Sequence, residues 1–292
     1  MTNIALGTSS WLFDAWRGVF YPDGMAQRDY LSFYARAFAT VEVNTTFYAS
    51  PRATTIARWM DAVPPGFTFC CKFPRTITHD KRLVDCEAET TEFLTRLRQL
   101  GAYAAPAFLQ FPPSFTRQQS GRQLAAYLDW LAPQVTDLRI AVEVRARDLM
   151  TPAFAAFLAE RGIALVLVDR VATPDMTEAW LEATADETLA HGAAPAFVVV
   201  RWIGDDENGP KGDRDLSAPR NADLDRWALR LADFARRGID VFGYMHNPYE
   251  GHAPASVRRL ETRLRALLPV TPWAPAPTSP PDAEDGQLSL FD

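Results

Sequence analysis

Two short runs, Val41-Glu42-Val43-Asn44 and Val142-Glu143-Val144-Arg145, set a polar residue at every second position between valines. That period of two belongs to a strand whose two faces meet different surroundings. With the valines packed against helices, Glu42 and Asn44, and likewise Glu143 and Arg145, turn to the inner face of the sheet. Lys72, Gln110, Asp169, Arg201, His246 and Asn247 close other apolar runs, and Ser9, Ser10 and Trp11 close the first. Charges inside a sheet are unfavourable unless they are paired or used. Lys72, Arg145 and Arg201 around one mouth suit an anionic group such as a phosphate. Glu143 and Asp169, from neighbouring strands and with Glu42 close by, suit general acid and base work, or a divalent ion held with His79 or His246. Trp11 and Trp16, with Phe20 and Tyr21, suit a stacking wall for a sugar or base, or simply the packing of the first loop. Against all of these stands a structural reading: an ion-paired plug in which Lys72, Arg145 and Arg201 neutralise Glu42, Glu143 and Asp169.

The elements that would position these residues are legible as repeated apolar, β-branched runs, each followed by an amphipathic segment. Strands are expected over Ile4–Ser9, Thr40–Asn44, Thr68–Lys72, Ala107–Phe111, Arg139–Val144, Ala164–Asp169, Ala196–Trp202 and Val241–His246. Helices are expected near 26–38, 52–62, 88–100, 120–132, 152–161, 176–190, 220–237 and 253–267. Nearly continuous apolar strands alternating with helices point to a parallel sheet covered by helices. Eight such units point to a TIM-type (β/α)8 barrel over residues 1–268, whose site forms at the C-terminal ends of the strands. The expected alternative is a doubly wound open sheet, although no GxGxxG turn follows the first strand. Residues 204–219 are long and polar, either a lid or a solvated loop.

Composition narrows the function classes. The chain has 292 residues, 48% hydrophobic and 23% charged, as a folded protein does. No signal-like segment opens it, and no apolar stretch is long enough to span a membrane. Cys70, Cys71 and Cys86 read as reduced thiols of a cytoplasmic protein. Four scattered histidines form no metal motif by spacing, so the cofactor is open, with a divalent ion as one option. The formal charge is −6, of which Asp282, Glu284, Asp285 and Asp292 supply four charges beyond the last basic residue. The body is therefore near neutral, and bulk electrostatics would not hold it on nucleic acid.

The runs GTSSWLFDAWRGVFYP, VEVNTTFYASP, FTFCCKFPRTITHD, FLQFPPSF, EVR, RWIG and YMHNPYEGHAP together resemble the YecE-like family, the domain of unknown function numbered seventy-two. The resemblance covers nearly all of residues 4–265. It implies a TIM-type barrel and no established reaction. Carried over position by position, its motif residues are Trp11, Trp16, Glu42, Asn44, Phe47, Tyr48, Lys72, Pro74, His79, Gln110, Pro112, Glu143, Arg145, Asp169, Arg201 and Asn247. One departure is His246, which stands where the family pattern has an asparagine before Asn247.

From Pro269 the helical pattern stops, and residues 269–286 are rich in proline and then acidic, as an extended, unpacked linker would be. The chain closes on Gln287-Leu288-Ser289-Leu290-Phe291-Asp292. This resembles the short peptide by which bacterial replication and repair proteins bind the DNA polymerase sliding clamp. Leu290 and Phe291 would anchor in an apolar groove and Gln287 would supply directional hydrogen bonds. The alternative is that the same apolar side chains fold back on the barrel. Three functions are therefore expected. The first is a phosphoester-processing enzyme on nucleic acid or nucleotides, tethered to the clamp. The second is a small-molecule enzyme on a sugar or sugar phosphate, and the third a clamp-associated binding module without catalysis.

Overall fold

The computed structural model describes residues 3–185, 195–269 and 272–275. Eight strands run β1 (Ile4–Thr8), β2 (Thr40–Val43), β3 (Thr68–Cys71), β4 (Ala107–Gln110), β5 (Ile140–Glu143), β6 (Ala164–Arg170), β7 (Phe197–Gly204) and β8 (Asp240–Met245). Between and after them lie α1 (Tyr30–Ala37), α2 (Thr45–Tyr48), α3 (Ala53–Asp61), α4 (Glu87–Gln99), α5 (Arg117–Leu131), α6 (Pro152–Ala159), α7 (Thr177–Thr184), α8 (Asn221–Arg236) and α9 (Ala253–Leu267). All eight expected strands form, each within two residues of its expected ends. The helices start where local chemistry allows. Thr151, for example, caps α6 by accepting from the Phe154 amide at 3.2 Å, and Pro152 fills the first turn, where no amide donor is needed. The short α2 and a π-helical turn over Thr76–Asp80 were not foreseen.

Every strand pair is parallel, in a six-stranded section ordered β1-β8-β7-β6-β5-β4 and a two-stranded section β2-β3. The sheet curls in a TIM-barrel-like manner, and its strands are buried almost throughout; β2, β4, β5 and β7 are buried at every residue. The expected continuous eight-stranded ladder is interrupted at two seams. Between β3 and β4 only isolated bridges form, Phe69 with Ala104 and Lys72 with Phe108. Between β1 and β2, among the described residues, a side chain replaces the ladder. The Tyr34 hydroxyl accepts from the Thr8 amide at 2.8 Å and donates to the Thr40 carbonyl at 3.1 Å. Gly7 makes this approach possible, because a Cβ there would lie 1.9 Å from the Thr40 oxygen.

The chain beyond α9 departs from expectation as well. Trp273, inside the segment expected to be unpacked, packs against the core and donates from Nε1 to the Ala35 carbonyl at 2.7 Å. With Pro272 and Ala274 it lines a cavity shared with Asn3, Ile4 and Ala39, at the N-terminal ends of β1 and β2. Indole burial outweighs the extended preference of its proline neighbours. The closing peptide, residues 287–292, lies outside the described residues, as does His191. No helix among the described residues is long and apolar enough to cross a membrane.

Candidate functional site: a buried ion cluster at the strand ends

Parallel pairing fixes which strand-end residues share a face. Glu42 pairs with Cys70, Gln110 with Glu143, and Arg201 with Tyr244 and Val168. Side chains in register across parallel strands point the same way, so Glu42, Gln110, Glu143 and Arg201 all enter the interior. There Arg201, 3% exposed, is held side-on by Glu42: Nε donates to Oε2 at 2.7 Å and one terminal nitrogen to Oε1 at 2.9 Å. Its other terminal nitrogen donates to Glu143 Oε2. Asn44 donates to Glu42 Oε1 at 2.8 Å and to the Ser9 carbonyl at 2.6 Å, and Arg145 Nε donates to Glu143 Oε1 at 3.0 Å.

This network governs titration. Burial pushes the Glu42 carboxyl up, and Arg201 and His246 more than offset it, leaving it well below the ordinary carboxylate range. Glu143 is lowered too: Arg201, Arg145 and Lys72 together outweigh its burial. Arg201 also works against its own burial, and the two glutamates hold it above the ordinary guanidinium value. His246, whose Nε2 lies 3.8 Å from Glu42, is lowered by burial and by Arg201.

Lys72 has a different environment. It is 8% exposed, its Nζ donates to Gln110 Oε1 at 2.7 Å, and the ammonium lies 4.0 Å from the centre of the Phe47 ring. Among the described residues no carboxylate comes within ion-pair distance of it. Burial and then Arg201 bring its pKa down to about 8, with Glu143 and Glu42 opposing. His79 packs edge-on against the same Phe47 ring at 5.0 Å, and burial and Lys72 hold it neutral with a pKa of about 4. Tyr48, 78% exposed, meets the Phe47 ring edge-on at 5.4 Å.

The structure therefore brings together Glu42, Asn44, Lys72, Gln110, Glu143, Arg145, Arg201 and His246, with His79 and Tyr48 at the Phe47 wall. Other expected site residues lie elsewhere. Asp169 pairs with Trp202, not with Arg201, and so faces the helix layer. Its carboxylate accepts from Trp227 Nε1 at 2.6 Å, Tyr249 at 3.0 Å and Arg220 at 3.4 Å, which fastens α8 to the sheet. It cannot partner Glu143 in acid and base work. The expected metal set of Glu143, Asp169 and a histidine does not assemble, and among the described residues no three His, Cys, Asp or Glu side chains converge as ligands would. Trp16 is fully buried against Phe13, Phe20, Tyr21 and His252, and Trp11 meets Trp59 edge-on. These rings pack the first loop and offer no stacking wall. Asn247 accepts from the Ala253 amide at 2.9 Å and so caps the start of α9.

The 204–219 loop is stitched down instead of standing open. Arg214 donates to the Ala15 carbonyl at 3.0 Å, the Asp213 carbonyl meets His252 Nδ1 at 2.8 Å, and the Ser217 amide donates to Glu250 at 2.9 Å. Tyr244, whose hydroxyl lies 3.1 Å from Thr40 Oγ1 one layer below Glu42, was not singled out by the sequence, and Phe47, the wall under Lys72, entered only through the family resemblance. Tyr244 precedes His246 by two, so strand alternation could have found it. Phe47 lies on α2, for which no strand period exists. A groove of about 400 Å³ between α5 and α6, lined by Leu124, Ala125, Phe154 and Phe157, shares none of these residues.

A curled parallel sheet with a buried ion cluster at its C-terminal strand ends defines a TIM-barrel-like α/β protein. Residues 5–280 match the sequence profile of the family described as "Protein of unknown function DUF72". The chain belongs to that family. It is 30% identical to the UPF0759 protein YecE of Escherichia coli K12 over 260 residues, 83% of this chain and 88% of the relative. With the UPF0759 protein YunF of Bacillus subtilis it shares 24% over 257 residues, covering 80% and 86%. Among solved structures, a DUF72 protein of Thermotoga maritima superposes with a TM-score of 0.73 at 22% identity, over 90% of this chain and 99% of that one. One from Enterococcus faecalis gives 0.70 at 20%, over 94% and 100%. At such identities the superpositions carry the fold alone.

Proposed function

We propose that the strand-end cluster binds a phosphate ester of a nucleic acid or nucleotide and processes it. The observation that carries this reading is the charge left after pairing. Arg201, Arg145 and a protonated Lys72 face only Glu42 and Glu143, and both carboxylates are occupied by guanidinium groups. One positive charge is therefore unneutralised in a low-dielectric interior, where an anion gains most. Arg145, the most exposed of the three with 27% of its side chain accessible, meets the phosphate, and Lys72 lies deeper, beside the reacting part of the ligand. The same reading takes the curled sheet as a (β/α)8 barrel, closed through Tyr34 at one seam and through isolated bridges at the other.

The closing Gln287-Leu288-Ser289-Leu290-Phe291 resembles a sliding-clamp ligand, and on this reading the protein acts in replication or repair. A tether compensates for a body whose near-neutral charge cannot find DNA alone. Because Trp273 is anchored, the proposed tether does not begin at 269. The near-neutral body also favours a second reading, a small phosphorylated sugar as substrate. Fluorescence titration with a 5′-phosphorylated oligonucleotide, its dephosphorylated form and inorganic phosphate tests the site. Phosphate-dependent binding weakened about tenfold by Arg145→Gln is expected. Equal affinity with and without the phosphate, or no effect of the substitution, would remove the anion site.

A further inference from the structure

The chain is strongly biased among its basic residues: of 30 Lys plus Arg, three are lysine, at 72, 81 and 211. Lys81 is bound to Glu89 and the Asp85 carbonyl, and Lys211 to the Glu207 carbonyl, both at the surface. In a protein that uses arginine almost everywhere for charge, the buried basic residue beside the ion cluster is a lysine. Arginine would bind an anion there at least as well, and it cannot lose its proton. Unlike an arginine, a lysine at this position can act as a free amine.

The geometry points to Lys72 as an imine-forming amine acting on a phosphate ester that carries an aldehyde or ketone, an inference that rests on the anion site proposed above. Its surroundings suit this. Nζ is held by a neutral amide acceptor, Gln110, so deprotonation breaks no ion pair. The two carboxylates that would hold an ammonium are taken by Arg201 and Arg145. A pKa of about 8 leaves a usable fraction of free amine near neutrality.

The unprotonated Nζ adds to the carbonyl carbon, and the oxygen takes the displaced electron pair and a proton. Loss of water from the carbinolamine gives the iminium. The iminium acidifies the adjacent carbon, whose proton passes to a base, a role the proposal gives to neutral His79, which packs on the Phe47 ring. Where a phosphate sits on the next carbon, the resulting electron pair expels it with its C–O bond, so the phosphoester breaks by elimination. Water then hydrolyses the imine and returns the amine. No redox partner is required.

An abasic deoxyribose in DNA and a free sugar phosphate both present this arrangement, and trapping tells them apart. The full chain is incubated with sodium cyanoborohydride and either a duplex containing one abasic site or glyceraldehyde 3-phosphate, then analysed by intact mass and peptide mapping. A stable adduct at Lys72 is expected, absent in Lys72→Arg, which keeps the cation and loses the nucleophile. Trapping rate should rise about fiftyfold from pH 6 to pH 8, following the free-amine fraction of a group with a pKa of about 8. Adduct with the duplex alone assigns the DNA source, and with the triose alone the free sugar. No adduct from either probe, or adduct only at Lys81, Lys211 or the N-terminus, overturns the inference. Phosphate-dependent binding that survives such a result leaves the anion site standing and sinks only the imine. Loss of both sinks both. Thermal unfolding of Lys72→Arg within a few degrees of the parent shows that lost trapping is not lost folding.

Discussion

Arg201 is the residue on which the interior depends. It uses three of its nitrogens on two carboxylates that are fully buried, so neither glutamate can be neutralised without stranding a charge. Glu42→Gln leaves Arg201 with one carboxylate and should cost about 3–5 kcal/mol, the range for breaking a buried pair from one side. Urea unfolding of the purified variant measures it, and a loss under 1 kcal/mol would mean that water already reaches the pair. The same network sets the acid limit. Glu42 and Glu143 titrate below their ordinary 4.5 when folded, so beneath that pH the unfolded chain takes up more protons than the native one. Stability from these groups is therefore complete above about pH 4.5 and lost as pH falls through their folded values. The drop in urea midpoint from pH 5 to pH 3 should be steeper in the parent than in an Arg201→Met/Glu42→Gln double variant.

Between elements, two polar contacts do what a ladder or an apolar surface does elsewhere. The Tyr34 hydroxyl from α1 spans the β1–β2 seam, satisfying the Thr8 amide and the Thr40 carbonyl at once. Tyr34→Phe leaves both buried groups unpaired and should destabilise by about 1–3 kcal/mol. Hydrogen exchange at the Thr8 amide should accelerate far more than at β7, and uniform acceleration would argue against a local seam. Asp169 fastens α8 through Trp227 and Arg220 and the last loop through Tyr249. Asp169→Asn keeps the shape but loses charge-assisted acceptance, with an expected cost of about 1–3 kcal/mol and no change in phosphate-dependent binding. Weakened binding with unchanged stability would return Asp169 to the site.

At the scale of the whole molecule, the site and the last described residues lie at opposite ends of the sheet. The ion cluster occupies the C-terminal strand ends, and Trp273 packs beside Asn3, Ile4 and Ala39 at the N-terminal ends of β1 and β2. A labelled peptide of residues 281–292 should bind a bacterial sliding clamp, and full-length protein should compete. Leu290→Ala/Phe291→Ala should lose about 2 kcal/mol or more, roughly thirtyfold in Kd, as apolar anchors do. Undiminished competition by that variant would end the clamp assignment.

Element order was readable from local pattern, because a parallel sheet covered by helices demands apolar strands and amphipathic helices wherever the chain runs. Strand facing was readable only where polarity alternates. In Val41-Glu42-Val43-Asn44 and Val142-Glu143-Val144-Arg145 it does, and Glu42 and Glu143 lie inside as expected. In Ala164-Leu165-Val166-Leu167-Val168-Asp169 both faces are apolar, so no period marks the inner one, and only the pairing of Val168 with Arg201 turns Asp169 outward. The tryptophans of the first loop posed the same difficulty, since a ring suited to stacking on a ligand is equally suited to packing on Tyr21 or Trp59. The sequence by itself determined the repeated unit, the family and the inward glutamates, because these follow from residues near one another along the chain. Which cation meets which carboxylate, that Lys72 is left without one, and where the tail is anchored were decided by tertiary structure alone. Each depends on side chains from strands far apart in sequence, and a buried charge takes whichever partner the folded geometry brings within reach.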